Sequence, residues 1–104
     1  MIYNKAIRDK IPKIIEKDGH TCNIKTLSDE EFLVQIEKKL SEEVEEFQND
    51  KNAEELADIL EVIYRIAQLR GISKEKLEEI RIKKVEERGA FDKNLYLVDT
   101  SKKD

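Results

Sequence analysis

Two pairs of carboxylates in the middle of the 104-residue chain have the type and spacing that cation binding requires. The first pair is Glu43 and Glu46, and the second is Glu55 and Asp58. The members of each pair stand three positions apart, so on an α-helix their side chains project from roughly one face. Four carboxylates on two neighbouring helices would offer hard oxygen ligands to a divalent cation.

The first pair falls on the side of its helix that is expected to face the core. At about 100° per residue, Glu43 lies about 20° from Ile36, inside the arc of apolar residues on that helix. Glu46 lies at the edge of the same arc, whereas Glu42 and Glu45 point away from it, where a solvated acid belongs. The pattern therefore predicts that Glu43 is turned toward the core.

The second pair is also turned toward apolar residues. On the next helix, Glu55 falls between Val62 and Ile66, and Asp58 falls beside Leu69. A different function is also open to Glu55, which could serve as the third helical residue in a cap begun by Asn52, a structural role that needs no metal.

A carboxylate that faces the core costs free energy unless its charge is compensated, and four of them close together repel one another. A divalent cation would remove both problems. Oxygen ligands suit Mg²⁺ or Mn²⁺ better than zinc, and one cysteine and one histidine supply no zinc-binding cluster. The sequence therefore predicts a Mg²⁺ or Mn²⁺ site, with ordinary solvated acids of a charge-rich helical protein as the alternative.

Several basic residues are candidates for contact with a substrate phosphate. Lys39 lies one turn before Glu43, so it either pairs with that acid or reaches a phosphate. Four others are phosphate ligands or, alternatively, ordinary surface charges: Arg8, Lys10, Arg88 and Lys93.

The composition limits the class of protein. Charged residues make up 42% and hydrophobic residues 38%, and their periodicity favours amphipathic helices over disorder. A net charge of −4 provides no basic surface for nucleic acid. No apolar run approaches the roughly 20 residues that span a bilayer. With Cys22 as the single cysteine and no apolar signal core at the N-terminus, we expect a cytoplasmic protein without membrane or nucleic-acid partners.

The periodicity predicts one all-α domain, 1–104, built as an antiparallel helical bundle with a loose tail at about 100–104. Long helices are expected near 29–48, 53–70 and 74–88, after a short helix that ends at about Lys17. A small two-stranded β element from 22–27 and 94–98 is an option. Polar residues mark the expected helix starts, with a capping box at the second: Asp9, Ser28 with Glu31, Asn52 and Ser73.

The acidic pairs occupy the segments Glu43-Val44-Glu45-Glu46 and Glu55-Leu56-Ala57-Asp58, which read E-x-x-E and E-x-x-D. Together with the opening segment 3–12 and the closing segment 87–91, they resemble the MazG-like nucleotide pyrophosphohydrolases of the all-α NTP pyrophosphatase superfamily. The branch that they resemble is often labelled phosphoribosyl-ATP pyrophosphohydrolase-like. The gap between the acidic motifs is shorter than is usual in the superfamily.

The resemblance implies Mg²⁺-dependent hydrolysis of a nucleoside triphosphate, or a similar nucleotide, to monophosphate and pyrophosphate. This hydrolysis could serve as a house-cleaning activity. It implies a homodimer or homotetramer in which a neighbouring subunit helps form the pocket, in agreement with the wide apolar arc of 56–69. The implied metal ligands are Glu43, Glu46, Glu55 and Asp58. The implied catalytic acids are Glu42, Glu43 and Glu46, with Glu42 or Glu46 orienting the water. A histidine-pathway phosphoribosyl-ATP pyrophosphohydrolase and a non-catalytic helical interaction module remain the alternatives.

Overall fold

The structure, a computed structural model, describes residues 1–103, which contain four α-helices and no β-strand. The helices are, in chain order, α1 Ile11–Lys17, α2 Asp29–Asp50, α3 Ala53–Leu69 and α4 Lys74–Arg88. The predicted all-α helical bundle is therefore confirmed, and the three long helices lie where the periodicity placed them.

The chain forms two compact units. The first, Met1–Lys74, contains α1, α2 and α3, and the second begins at Glu75 within α4. The organisation of 1–104 as a single domain stays a prediction. In the predicted tail, residues 100–103 are exposed and irregular, and Asp104 lies outside the described residues.

Helix α2 begins and ends with local signals. The Ser28 hydroxyl accepts a hydrogen bond from the Glu31 backbone N–H, and the Glu31 carboxylate accepts one from the Ser28 backbone N–H, each at 3.2 Å. This confirms the predicted capping box. At the other end, Lys51 adopts a left-handed conformation with φ +57°, and its N–H donates to the Phe47 carbonyl. This left-handed residue ends the helix at Asp50, two residues beyond the predicted end.

Only Lys51 and Asn52 connect α2 to α3. The Asn52 side chain caps α3 by accepting a hydrogen bond from the Glu55 backbone N–H at 3.0 Å, as predicted. Because the two helices pack against each other across so short a connection, they run antiparallel. This hairpin of helices is the frame that positions the acidic pairs.

Helix α3 ends with a turn that requires glycine. The Ile72 N–H donates to the Ala67 carbonyl at 2.8 Å, and the Gly71 N–H donates to the Gln68 carbonyl at 3.0 Å. These two bonds form a Schellman motif around Gly71, whose φ of +81° is strained for other residues. The helix therefore ends at Leu69, one residue before the predicted end at 70.

The core lies between α2, α3 and the N-terminal segment. Its buried residues are Ala6, Ile36 and Val62, which are 6%, 8% and 7% exposed. Half-buried side chains of α2 and α3 pack around them: Phe32, Leu33, Leu40, Ile66 and Leu69. The central position of Ala6 fixes the N-terminal segment across the helical hairpin.

One local prediction is wrong, and one element that the sequence left open does not form. Asp9 does not cap α1, because the N-cap position is occupied by Lys10, which makes no side-chain capping bond. The candidate strands 22–27 and 94–98 do not form within residues 1–103, since neither finds a second segment to complete a ladder of hydrogen bonds. The apolar side chains of 95–98 are accordingly 77% to 89% exposed.

Helix α4 contains no buried residue. Of its apolar residues, Leu77 is half-buried and Ile80 is 39% exposed. The helix ends before Gly89, as predicted, and the Gly89 N–H donates to the Val85 carbonyl. No helix in the part of the chain that the structure describes is both long and apolar enough to cross a membrane.

Candidate metal centre

The helical hairpin brings the two acidic pairs together. One ligand atom from each of Glu43, Glu55 and Asp58 lies within 4.8 Å of the others. A second trio with the same limit consists of Glu42, Glu43 and Glu46. Glu43 belongs to both trios, so it is the centre of the cluster.

Glu43 is the buried polar residue of the core, with 6% of its surface exposed. Its Oε1 lies 3.3 Å from the Lys39 Nζ. Its Oε2 is buried and has no hydrogen-bond partner among the described residues. Burial raises the pKa of Glu43; the nearby Lys39 opposes this rise, and the neighbouring Glu46 adds to it. The predicted inward orientation of Glu43 is confirmed, and one of its oxygens remains available to a ligand.

Glu55, like Glu43, has a buried carboxylate oxygen that is available to a ligand. Its Oε2 is also buried without a hydrogen-bond partner in the described structure. The capping bond to Asn52 uses the Glu55 backbone N–H, so the cap does not require the carboxylate charge. Loss of hydration raises the pKa of Glu55, hydrogen bonding with Glu46 opposes this rise, and the charges of Asp58, Asp50 and Glu43 add to it. The surroundings of this carboxylate therefore disfavour its negative charge, which a cation would compensate.

Asp58 is half-buried like Glu55, but unlike Glu55 it already has a charged partner. The Arg8 Nη2 lies 2.6 Å from Asp58 Oδ1. Their side chains are 55% and 35% exposed, respectively, so water screens this pair more than it screens Glu43. Arg8 is thus a predicted substrate-binding residue that the structure brings to the acidic cluster.

Glu42 differs from its sequence-based description. The side chain was expected to point into solvent, but it is half-buried, and its Oε1 lies 2.9 Å from the Lys5 Nζ. The hydrogen bond from Lys5 lowers the pKa of Glu42, with a further contribution from Lys39. The expectation is wrong because the N-terminal segment covers this side of α2, a contact that helical periodicity does not describe.

Lys39 contacts both trios of acids. Its Nζ lies 3.3 Å from Glu43 Oε1 and 3.5 Å from Glu42 Oε1, and its side chain is 15% exposed. The local pairing with Glu43 that the spacing allowed is therefore present. Contact of Lys39 with a substrate phosphate stays a prediction.

The remaining predicted phosphate ligands are all exposed. Lys10 is exposed at the start of α1. Arg88 and Lys93 are exposed residues of the second unit. Their contact with substrate stays a prediction.

Lys5 is the residue of the cluster that the sequence did not single out. Its bond to Glu42 joins residues 37 positions apart, and this interaction raises the pKa of Lys5. The one available signal was its position in the basic opening segment, which does not identify a partner.

The donor set fits the cation predicted from the sequence. All five clustered acids offer carboxylate oxygens, and no histidine or cysteine belongs to either trio. Oxygen-only sets favour hard cations such as Mg²⁺ and Mn²⁺. The buried, unpartnered oxygens of Glu43 and Glu55 distinguish this cluster from acids that are merely exposed on a helix surface.

Comparison with known proteins adds a partial similarity. No protein-family model matches the chain, and no solved structure matches it. A stretch of 42 residues is 45% identical to an uncharacterized protein of Mycolicibacterium smegmatis. This stretch covers 40% of the chain and 43% of that relative, so the chain matches less than half of the relative's length.

Proposed function

We propose that the protein is a Mg²⁺-dependent nucleotide pyrophosphohydrolase of the MazG-like kind. It would convert a nucleoside triphosphate, or a similar nucleotide, to the monophosphate and pyrophosphate, as a house-cleaning hydrolase. The observation that carries the proposal is the convergence of E-x-x-E on α2 with E-x-x-D on α3, where Glu43 and Glu55 each keep a buried, unpartnered oxygen.

The residues that would hold Mg²⁺ are Glu43, Glu46, Glu55 and Asp58. Their oxygens supply the hard, anionic ligands that this cation prefers. When bound, Mg²⁺ provides Lewis-acid stabilisation for phosphate oxygens. Both trios share Glu43, so its replacement would disturb every arrangement of ligands that the cluster allows.

Two acids are suited to orienting the attacking water. Glu42 and Glu46 flank Glu43 in the same trio, and either carboxylate can accept a hydrogen bond from water. Glu42 is held by Lys5 at 2.9 Å, and this interaction keeps the pKa of Glu42 low and its carboxylate ionised. A water near the α–β linkage of the phosphates would therefore meet a fixed hydrogen-bond acceptor on this side of α2.

The basic residues would balance the charge of the phosphates. Lys39 and Arg8 already lie against the acidic cluster, at 3.3 Å from Glu43 and 2.6 Å from Asp58. Cationic side chains that lie beside a bound phosphate group stabilise its negative charge. Lys10, Arg88 and Lys93 are further candidates for the same role.

The test is incubation of the protein with Mg²⁺ and a panel of nucleotides, with pyrophosphate resolved from single phosphate. We expect Mg²⁺-dependent release of pyrophosphate that stops when EDTA is added. Phosphoribosyl-ATP belongs in the panel, because exclusive use of that substrate would indicate the histidine-pathway enzyme. Absence of both cation binding and turnover would indicate a non-catalytic helical interaction module.

We also propose that the protein assembles with further copies of itself, as a homodimer or homotetramer. Leu56 and Leu60, one turn apart on α3, are 53% and 47% exposed. They continue the apolar arc of a helix whose other side packs on the core, so a second subunit could cover them.

A cytoplasmic location is expected from the single free cysteine, Cys22.

A further inference from the structure

The N-terminal segment, residues 1–10, lies across the acidic cluster and carries basic side chains to both helices. Ala6 is buried beside Ile36 and Val62, which anchors this segment to the core. On one side of Ala6, Lys5 reaches Glu42 of α2 at 2.9 Å. On the other side, Arg8 reaches Asp58 of α3 at 2.6 Å. The segment therefore neutralises one acid of each trio.

The contact of Arg8 involves a carboxylate that also belongs to the candidate metal centre. Asp58 shares the 4.8 Å trio with Glu43 and Glu55, each of which keeps a buried and unpartnered oxygen there. A guanidinium and a divalent cation are both positive, so they repel each other when they approach the same carboxylate. The Arg8 side chain is 55% exposed, and ion pairs of this kind are weak enough to exchange.

We propose that Arg8 competes with the divalent cation for Asp58, so that binding of the cation releases the Arg8 guanidinium from this carboxylate. The inference rests on the metal site of the proposed function. Because Ala6 is buried only two residues away, the released guanidinium stays beside the centre. There it can donate its planar set of N–H groups to the phosphates of the nucleotide. Arg8 thus neutralises Asp58 when the cation is absent and the phosphates of the nucleotide when the cation is bound.

The first test measures Mn²⁺ binding by calorimetry in the absence of nucleotide. We compare the wild type with Arg8→Gln and with Lys13→Gln, an exposed residue of α1 whose replacement removes the same charge. We expect Arg8→Gln to bind Mn²⁺ about two- to fivefold more tightly, the range that corresponds to an exposed ion pair. Lys13→Gln should bind like the wild type. The difference should shrink at high ionic strength, because salt screens exposed pairs.

The second test follows the guanidinium itself. The side-chain N–H resonance of Arg8 is assigned by its loss in Arg8→Gln and is then followed while Mg²⁺ is added to the wild type. We expect this resonance to shift as the site fills. A resonance that stays unchanged at saturating Mg²⁺ would overturn the proposal.

The outcomes separate this inference from the proposed function. A wild-type protein that binds no Mn²⁺ would overturn the metal site and, with it, the proposed function. Mn²⁺ binding by the wild type, combined with binding by Arg8→Gln that is no tighter than binding by Lys13→Gln, would overturn the competition alone.

Discussion

Replacement of Glu55 by glutamine tests the proposed metal centre most directly. Glutamine keeps the volume of the side chain and removes its charge. The capping bond to Asn52 is donated by the Glu55 backbone N–H, so the substitution leaves this bond in place. The variant should therefore fold normally and differ from the wild type mainly in the charge of the acidic cluster.

The magnitude of the loss follows from the composition of the trio. Glu55 supplies one of three carboxylates whose ligand atoms lie within 4.8 Å of one another. Changes to groups that only support a metal ligand cost about 10- to 100-fold in affinity or activity. Since Glu55 would be a ligand itself, we expect Mg²⁺-dependent pyrophosphate release to fall by about a hundredfold or more.

The same substitution should raise the melting temperature in the presence of EDTA, with a defined dependence on pH. In the folded protein the pKa of Glu55 is raised above its ordinary value of 4.5, mainly by loss of hydration, with opposition from hydrogen bonding to Glu46 and a further rise from the charges of neighbouring acids. The ionised wild-type residue therefore destabilises the fold at pH values above this raised pKa. As the pH falls toward 4.5, the wild-type carboxylate takes up a proton and the advantage of glutamine should disappear.

Glu54→Gln is the matched control, because Glu54 is an exposed acid in the same first turn of α3. Both substitutions lose the same charge near the helix N-terminus, where an acid interacts favourably with the helix dipole. Activity and melting are measured for both variants at the same ionic strength. Equal turnover by the two variants would refute the metal-site assignment, and a collapse of stability in Glu55→Gln alone would assign this carboxylate a structural role.

Three further substitutions test the frame of the site, and a fourth tests the proposed assembly. Ser28→Ala should lower the free energy of unfolding in urea by about 1 kcal/mol through loss of the helix cap. Glu31→Gln should destabilise the protein at neutral pH but not in acid. Hydrogen bonds from Ser28 lower the pKa of Glu31, so the ionised carboxylate stabilises the fold at neutral pH. This stabilisation is lost as the pH falls below 4.5 and through the lowered pKa. Gly71→Ala should lower the free energy of unfolding by about 1–2 kcal/mol in the same urea titration. The cause is the left-handed φ of Gly71, since the added methyl group would contact no neighbouring atom. Leu60→Glu should turn an oligomer into monomers in sedimentation at tens of micromolar, and a wild type that is already monomeric there would contradict the proposed assembly.

The features that the sequence predicted well are those set by local spacing. Glu43 is buried because its angular position relative to Ile36 is fixed by the helix itself, independently of the rest of the chain. The caps at Ser28 and Asn52 form because each polar side chain reaches a backbone N–H three residues ahead. Such signals require only that a helix forms.

The features that the sequence did not predict depend on which distant segments meet. Glu42 is half-buried because Lys5, 37 positions away, lies against it, and no periodic pattern records this contact. The segments 22–27 and 94–98 have the apolar content of strands, but a strand also needs a partner, which apolar content does not specify. Asp9 failed as a cap because the helix began one residue later than a cap at that position requires.

The short connection between α2 and α3 turns two local patterns into one site. Glu43 lies eight residues before Lys51, about 12 Å along its helix at the rise of an α-helix. Asp58 lies six residues after Asn52, about 9 Å along the other helix. The two acids therefore reach nearly the same height above the turn, and both helices direct them to the apolar side of the hairpin. A longer connection would leave each motif amphipathic and capped, but it would no longer fix the heights at which the carboxylates meet. The arrangement of the acids thus depends on the left-handed Lys51 and the cap at Asn52 as much as on the acids themselves.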